Sequence, residues 1–177
     1  MGSIDLIRQP LTRAELSARY EALLADPQFR AVPGRGELNA WGQVIVTPPA
    51  DFWHYRVAAR LGRLLMASLG GESVQEGAIA IEGAGTFVAD VVWCSPAFLA
   101  AHGGERILQQ APEICIEVLS ESSSTREIEE KRAAYLAAGA REVWIVDPQG
   151  ETVAVFESEG PRAESTYRVD LHGLFAR

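Results

Sequence analysis

Two acids and one lysine are the residues through which this sequence can be read for chemistry. Glu117 stands inside Ile114-Cys115-Ile116-Glu117-Val118-Leu119, and Asp90 interrupts Thr86-Phe87-Val88-Ala89-Asp90-Val91-Val92-Trp93. Both runs are otherwise almost wholly apolar. A carboxylate in a dry strand needs a cationic partner, a metal ion or a shifted pKa, because desolvation disfavours its charged form. Lys131 follows on a helical segment, sharing one face with Ile128 and Tyr135, with Ala134 and Ala138 beside them. That face is apolar, so the ammonium turns toward the interior that holds the acids. Two neighbouring carboxylates repel each other, and a hard divalent cation such as Mg2+ relieves that repulsion with oxygen ligands. A buried structural ion pair, or a lysine that snorkels to solvent, explains the same residues without chemistry.

Other candidates are weaker on spacing alone. Glu37 could be a third carboxylate, although it also reads as an ordinary edge-strand residue. His54 lies on the first turn of a helix, where a structural histidine is the simplest account. Arg56, Arg60 and Arg63 share one face of that helix; the stripe is either solvated or a strip of phosphate contacts beside a cleft. Asp147 opens an Asp-Pro-x-Gly turn, which explains it. Ser120 and residues 122–124 suit loop and cap roles. No Ser/His/Asp triad, P-loop, dinucleotide fingerprint or zinc spacing is present.

The elements that position these residues can be placed from caps and periodicity. Thr12 and Glu15 form a capping box before a helix over about 13–25. Residues 35–47 read as a hairpin turning at Gly42. Asp51 caps a long helix to about Leu69, with Val57, Leu61, Leu64, Leu65 and Leu69 facing a core. Strands follow over 74–81 and 86–93, then a short helix from Ser95-Pro96. Residues 114–119 form a strand covered on both faces. A second capping box, Ser124 with Glu127, starts the helix of Lys131, and residues 142–147 form the next strand. Residues 152–156 pair back as a hairpin, and 167–171 are expected as an edge strand. This order predicts an α/β chain: one mixed sheet flanked by helices, with the 114–147 unit as a crossover. The 177 residues are expected to form a single domain with a loose terminus over 1–10.

With 47% apolar and 23% charged residues, the composition is that of a soluble globular protein. The sequence has no apolar run long enough to span a membrane and no signal-peptide core, so no membrane partner and a cytoplasmic location are expected. Cys94 and Cys115 read as buried free thiols. The net charge of −8 argues against tight nonspecific DNA binding, but not against DNA chemistry at one local site.

The chain resembles the Uma-two restriction endonuclease family of the PD-(D/E)XK nuclease superfamily, over roughly Arg35 to Phe156. The resemblance rests on Gly36-Glu37-Leu38, Val44-Ile45-Val46-Thr47-Pro48, His54 and Val88-Ala89-Asp90-Val91-Val92. It continues through Ala111-Pro112-Glu113 into the Glu117 strand, Lys131 with Tyr135 and Gly139, and Val143-Trp144-Ile145-Val146-Asp147-Pro148. It implies a restriction-endonuclease-like core and a Mg2+- or Mn2+-dependent endonuclease acting on DNA, with a homodimer as the simplest way to cut both strands. Asp90, Glu117 and Glu37 match the metal-binding acids, with the carbonyl of Val118 as a further ligand. Lys131 matches a catalytic lysine displaced from the strand to the helix, where it orients an attacking water. Two departures stand out: Ala89 replaces the motif proline, and Leu119 occupies the usual lysine position. The alternative is a catalytically inactive nuclease-fold protein that binds nucleic acid or acts as a regulatory module.

Overall fold

A computed structural model describes residues 9–121 and 123–176. The expected loose terminus therefore lies outside the described residues over 1–8, as does Ser122. The elements in order are α1 (Arg13–Ala25), α2 (Pro27–Arg30), β1 (Arg35–Asn39), β2 (Val44–Thr47), α3 (Phe52–Leu69), β3 (Glu72–Ile81) and β4 (Gly85–Cys94). They continue as α4 (Pro96–His102), β5 (Ile114–Val118), α5 (Thr125–Ala137), β6 (Glu142–Asp147), β7 (Thr152–Glu157) and β8 (Gly160–Arg162). The caps read from the sequence are in place: Thr12, Asp51, Ser95 and Ser124 each accept a backbone N–H through the side chain. Among the described residues, no helix is long and apolar enough to cross a membrane.

The eight strands form one mixed sheet in the order β2-β1-β4-β5-β6-β7-β8, with β3 paired to β4. β5 and β6 run parallel through the α5 crossover, and the other pairings are antiparallel. Helix α3 packs Val57, Ala58, Leu61 and Leu65 into a core with Val91, Trp93, Ile116 and Trp144. A second core joins Ala134 and Tyr135 of α5 and Phe98 of α4 to Cys115, Val143 and Ala89. The sheet is thus covered by helices over its centre, and every residue of β5 is buried, as a strand of unbroken apolar character requires.

The expected strand over 167–171 does not form; residues 160–162 supply the last strand, β8. Tyr167, Val169 and Leu171 instead lay their side chains against the α3 core. The apolar alternation there serves packing, without backbone pairing.

One topological detail sets the site. The edge of β4 that faces away from β3 is shared by two strands. β1 pairs with it at Gly85 and Thr86, and β5 pairs with it at Val91, Val92 and Trp93. Residues 87–90 lie between, in a fork where β1 and β5 separate. The close approach of β1 requires glycine at position 85: its φ is +142°, and a Cβ there would run into the Leu38 carbonyl oxygen.

Candidate active site

The acids and Lys131 meet in that fork. Extending the β4–β5 register by one step beyond Val91↔Ile116 sets Asp90 opposite Glu117. Glu37 reaches across from β1. Its Oε1 accepts the Val88 N–H at 2.8 Å, and Asp90 Oδ2 accepts the Val118 N–H at 2.7 Å. Each carboxylate therefore takes up a strand N–H where the sheet ladder is interrupted, which is one physical reason for acids at these positions.

Lys131 enters from α5. Its Nζ donates to Glu37 Oε1 at 2.7 Å and lies 3.5 Å from Glu117 Oε2. Tyr135, one turn further on, donates its hydroxyl to Glu117 Oε1 at 2.7 Å. The inward face expected for Lys131 is thus observed, and the residue is buried. Glu37 is buried too, because β2, and not β1, forms the sheet edge.

His54 comes from the first turn of α3, with its Nε2 3.5 Å from Asp90 Oδ1. Arg35, at the start of β1, donates Nη1 to the same oxygen at 2.5 Å. The sequence reading missed Arg35 and gave Tyr135 no role at the site. The available signals were register: Arg35 precedes Glu37 by two residues on one strand, and Tyr135 follows Lys131 by four on one helix.

Arg56 and Arg60 are not brought to this site. Their guanidinium carbons lie 5.4 and 5.7 Å from the centroid of the Trp53 ring. Arg60 also donates to the carbonyls of Leu174 and Ala176. The Arg60 bonds hold the C-terminal segment against α3, while Arg56 stacks on Trp53 of its own helix. The two thiols are buried and free, and burial raises both pKa values, Cys94 to about 12.

The electrostatics divide the acids. Burial alone would raise Asp90, but the His54 contact and the Arg35 charge outweigh it and hold its pKa below the ordinary value. Burial pushes Glu117 up to about 7; Lys131 opposes that rise, while Asp90 and Glu37 add to it. Burial would lower Lys131, yet Glu117 and Glu37 raise it above its usual value. Lys131 is accordingly an ammonium at neutral pH and donates only.

Asp90, Glu117, Lys131, His54 and Arg35 all line one cavity of about 660 Å³, together with Ser120, Ser123 and Glu127. Among the described residues, no three His, Cys, Asp or Glu side chains stand at metal-ligating spacing. The donor chemistry nevertheless fits a hard divalent ion. Three carboxylates face the fixed charges of Arg35 and Lys131, and Glu117 ionises reluctantly in their company. A cation with oxygen preference relieves that conflict.

Comparison with known proteins agrees with the fold. The crystal structure of a putative nuclease of DUF820 from Anabaena variabilis ATCC 29413 superposes with a TM-score of 0.60 at 20% identity, over 77% of this chain and 79% of that one. No curated protein matches. The family described as "Uma2: Putative restriction endonuclease" matches residues 26–172. With most of the chain matched and the acids and Lys131 gathered in one buried fork, this protein belongs to the Uma2 family.

Proposed function

We propose that the protein is a Mg2+- or Mn2+-dependent endonuclease that hydrolyses phosphodiester bonds in DNA, working in the cytoplasm as a homodimer that cuts both strands. The observation that carries this reading is convergence. Asp90 from β4, Glu117 from β5, Glu37 from β1 and Lys131 from α5 meet at one buried centre, and Asp90, Glu117 and Lys131 line a single cavity.

Asp90 and Glu117, with Glu37 behind them and the Val118 carbonyl beside them, are the oxygen donors for the ion. When bound, that ion polarises the phosphate and offsets the negative charge that develops on it. Lys131 is the resident ammonium of the centre. Being donor-only, it orients the attacking water and stabilises charge on the phosphate oxygens, and it does not take up the water's proton. Tyr135 fixes one oxygen of Glu117 and leaves the other toward Lys131. In the reaction the water oxygen bonds to phosphorus and gives up one proton to bulk solvent, the opposite P–O ester bond breaks, and the leaving oxygen takes a proton from solvent.

A second reading is a nuclease-fold binding module without turnover. It is favoured by the carboxylates' other duty, bonding the Val88 and Val118 N–H groups in the fork. Incubation of the purified protein with supercoiled plasmid, linear duplex, single-stranded DNA and RNA, each with Mg2+ or Mn2+, separates the two. The nuclease reading expects nicking or cutting of DNA that is lost in Asp90→Asn and Lys131→Ala. Binding without cleavage of any substrate supports the module. Cleavage that persists in both variants removes this centre from the chemistry.

A further inference from the structure

Arg35 is the residue of the fork that none of these roles uses. Its Nη1 sits on Asp90 Oδ1 at 2.5 Å, and its side chain is 20% exposed. Burial would lower its pKa, yet Asp90, Glu117 and Glu37 together raise it. One guanidinium thus carries a fixed positive charge onto Asp90, in the fork where the other two acids also lie. The contact is incomplete: among the described residues, Arg35 Nε is buried without a hydrogen-bond partner. A guanidinium fork commonly meets a carboxylate through two parallel bonds, and here its Nε is left out. His54 shows the same pattern. Its Nε2 faces the same Asp90 oxygen, while its Nδ1 is buried and, among the described residues, unpartnered.

A permanent structural ion pair would be enclosed, with every donor bonded. Arg35 instead lines the cavity, as does Asp90. It stands on the oxygen that a divalent ion would need.

We propose that Arg35 is a resident counter-cation that holds the acidic centre closed, and that a divalent ion gains Asp90 only by displacing it. The inference rests on the metal-dependent reading above. It makes the closed centre stable without metal and sets the concentration of ion at which the site opens. Displacement also frees a charged fork inside the same cavity.

The test uses Mn2+ binding to the full chain without nucleic acid, followed by calorimetry for the unchanged protein, Arg35→Gln, Arg35→Lys and Asp90→Asn. Removing a competing charge should tighten Mn2+ binding roughly tenfold or more in Arg35→Gln, and less in Arg35→Lys, which keeps the charge. The metal-free melting temperature of Arg35→Gln should fall, and Mn2+ should recover most of the loss. A second measurement needs no variant. A dicarbonyl reagent that modifies arginine should label the Arg35 peptide faster in the presence of Mn2+, read by mass spectrometry.

Equal or weaker Mn2+ binding by folded Arg35→Gln overturns the proposal. So does Arg35 labelling that Mn2+ leaves unchanged or slows, and this measurement decides if Arg35→Gln does not fold. Mn2+ binding that Asp90→Asn abolishes but Arg35→Gln leaves unchanged sinks this inference alone. Absence of Asp90-dependent binding in every form sinks the metal-dependent reading as well.

Discussion

Lys131 Nζ lies 2.7 Å from Glu37 Oε1, a contact that spans 94 residues of sequence and ties α5 to β1. The same ammonium lies 3.5 Å from Glu117, so one helix residue balances acids on two strands that have already separated. Removing it takes from both acids the ammonium that lies nearest them. Lys131→Ala should cost on the order of 3–5 kcal/mol of stability, the usual consequence of breaking a buried pair from one side. The double variant Lys131→Met/Glu37→Leu should recover a large part, because it removes the stranded charge along with its partner, although Glu117 then keeps the Tyr135 bond without a nearby ammonium. Urea unfolding of the metal-free protein measures both. Recovery of stability without recovery of cleavage would separate the structural from the chemical duty of Lys131.

Tyr135→Phe isolates a different support. The substitution keeps the ring, which meets Phe87 edge-on at 6.3 Å between centroids. It removes only the hydroxyl that donates to Glu117 Oε1. A loss of about 1–2 kcal/mol is expected for a buried bond to a charged acceptor. With that donor gone, the Glu117 carboxylate is less well held, so ionisation should move to higher pH. The half-point of Mn2+ binding against pH should move upward with it. An unchanged half-point would show that Tyr135 packs against Glu117 without tuning it.

Much of this arrangement can be read in the sequence, for identifiable reasons. The helices are bounded by local signals such as Thr12, Asp51 and Ser124, and local signals survive into the fold. Asp90 and Glu117 are conspicuous because a charge inside an apolar run has no cheap explanation. Lys131 is conspicuous because helical period turns it to the apolar face. Arg35 escapes detection because it begins a strand beside a glycine, where an arginine is unremarked. Its role exists only through Asp90, 55 residues away. The fork is equally invisible: it depends on β1 and β5 sharing one edge of β4, and no local pattern encodes strand order. Arg56 and Arg60 carry a local signal of another kind. Their helical spacing is real, but Arg60 gives its donors to the chain's own C-terminal segment and Arg56 lies over Trp53.

Glu142 is a buried acid with no part in the site. Its Oε2 accepts from Trp144 Nε1 at 2.7 Å and Ser165 Oγ at 2.7 Å. Its Oε1 accepts from the Thr166 N–H at 2.8 Å and Thr166 Oγ1 at 2.6 Å. The carboxylate thus clamps the segment after β8 onto β6. Glu142→Ala should destabilise the fold by roughly 3 kcal/mol, since several buried donors lose one acceptor together. Limited proteolysis should then cut first after residue 162. Mn2+ affinity should stay unchanged, because the clamp lies outside the fork. A parallel loss of Mn2+ binding would mean that the C-terminal segment supports the centre.

The pH dependence of the metal-free protein should belong to Glu117. Its folded pKa stands near 7 against an ordinary 4.5, raised chiefly by burial. A raised pKa favours the protonated form in the folded state. Its contribution is therefore complete below about pH 4.5 and is lost as pH rises through 7. Asp90 has the opposite sign. Its pKa is lowered from 3.8, so its contribution is present above that value and is lost only in stronger acid. Between pH 5.5 and 8 the two do not overlap, and Glu117 alone should make the protein less stable toward alkaline pH, by ~2 kcal/mol. Glu117→Gln, which is neutral throughout, should flatten that slope. Mn2+ should reverse it, since the ion binds the ionised carboxylate and releases its proton. Thermal melts at pH 5.5 and 8, with chelator and then with Mn2+, read all three comparisons. A slope that persists in Glu117→Gln would assign the titration to another group.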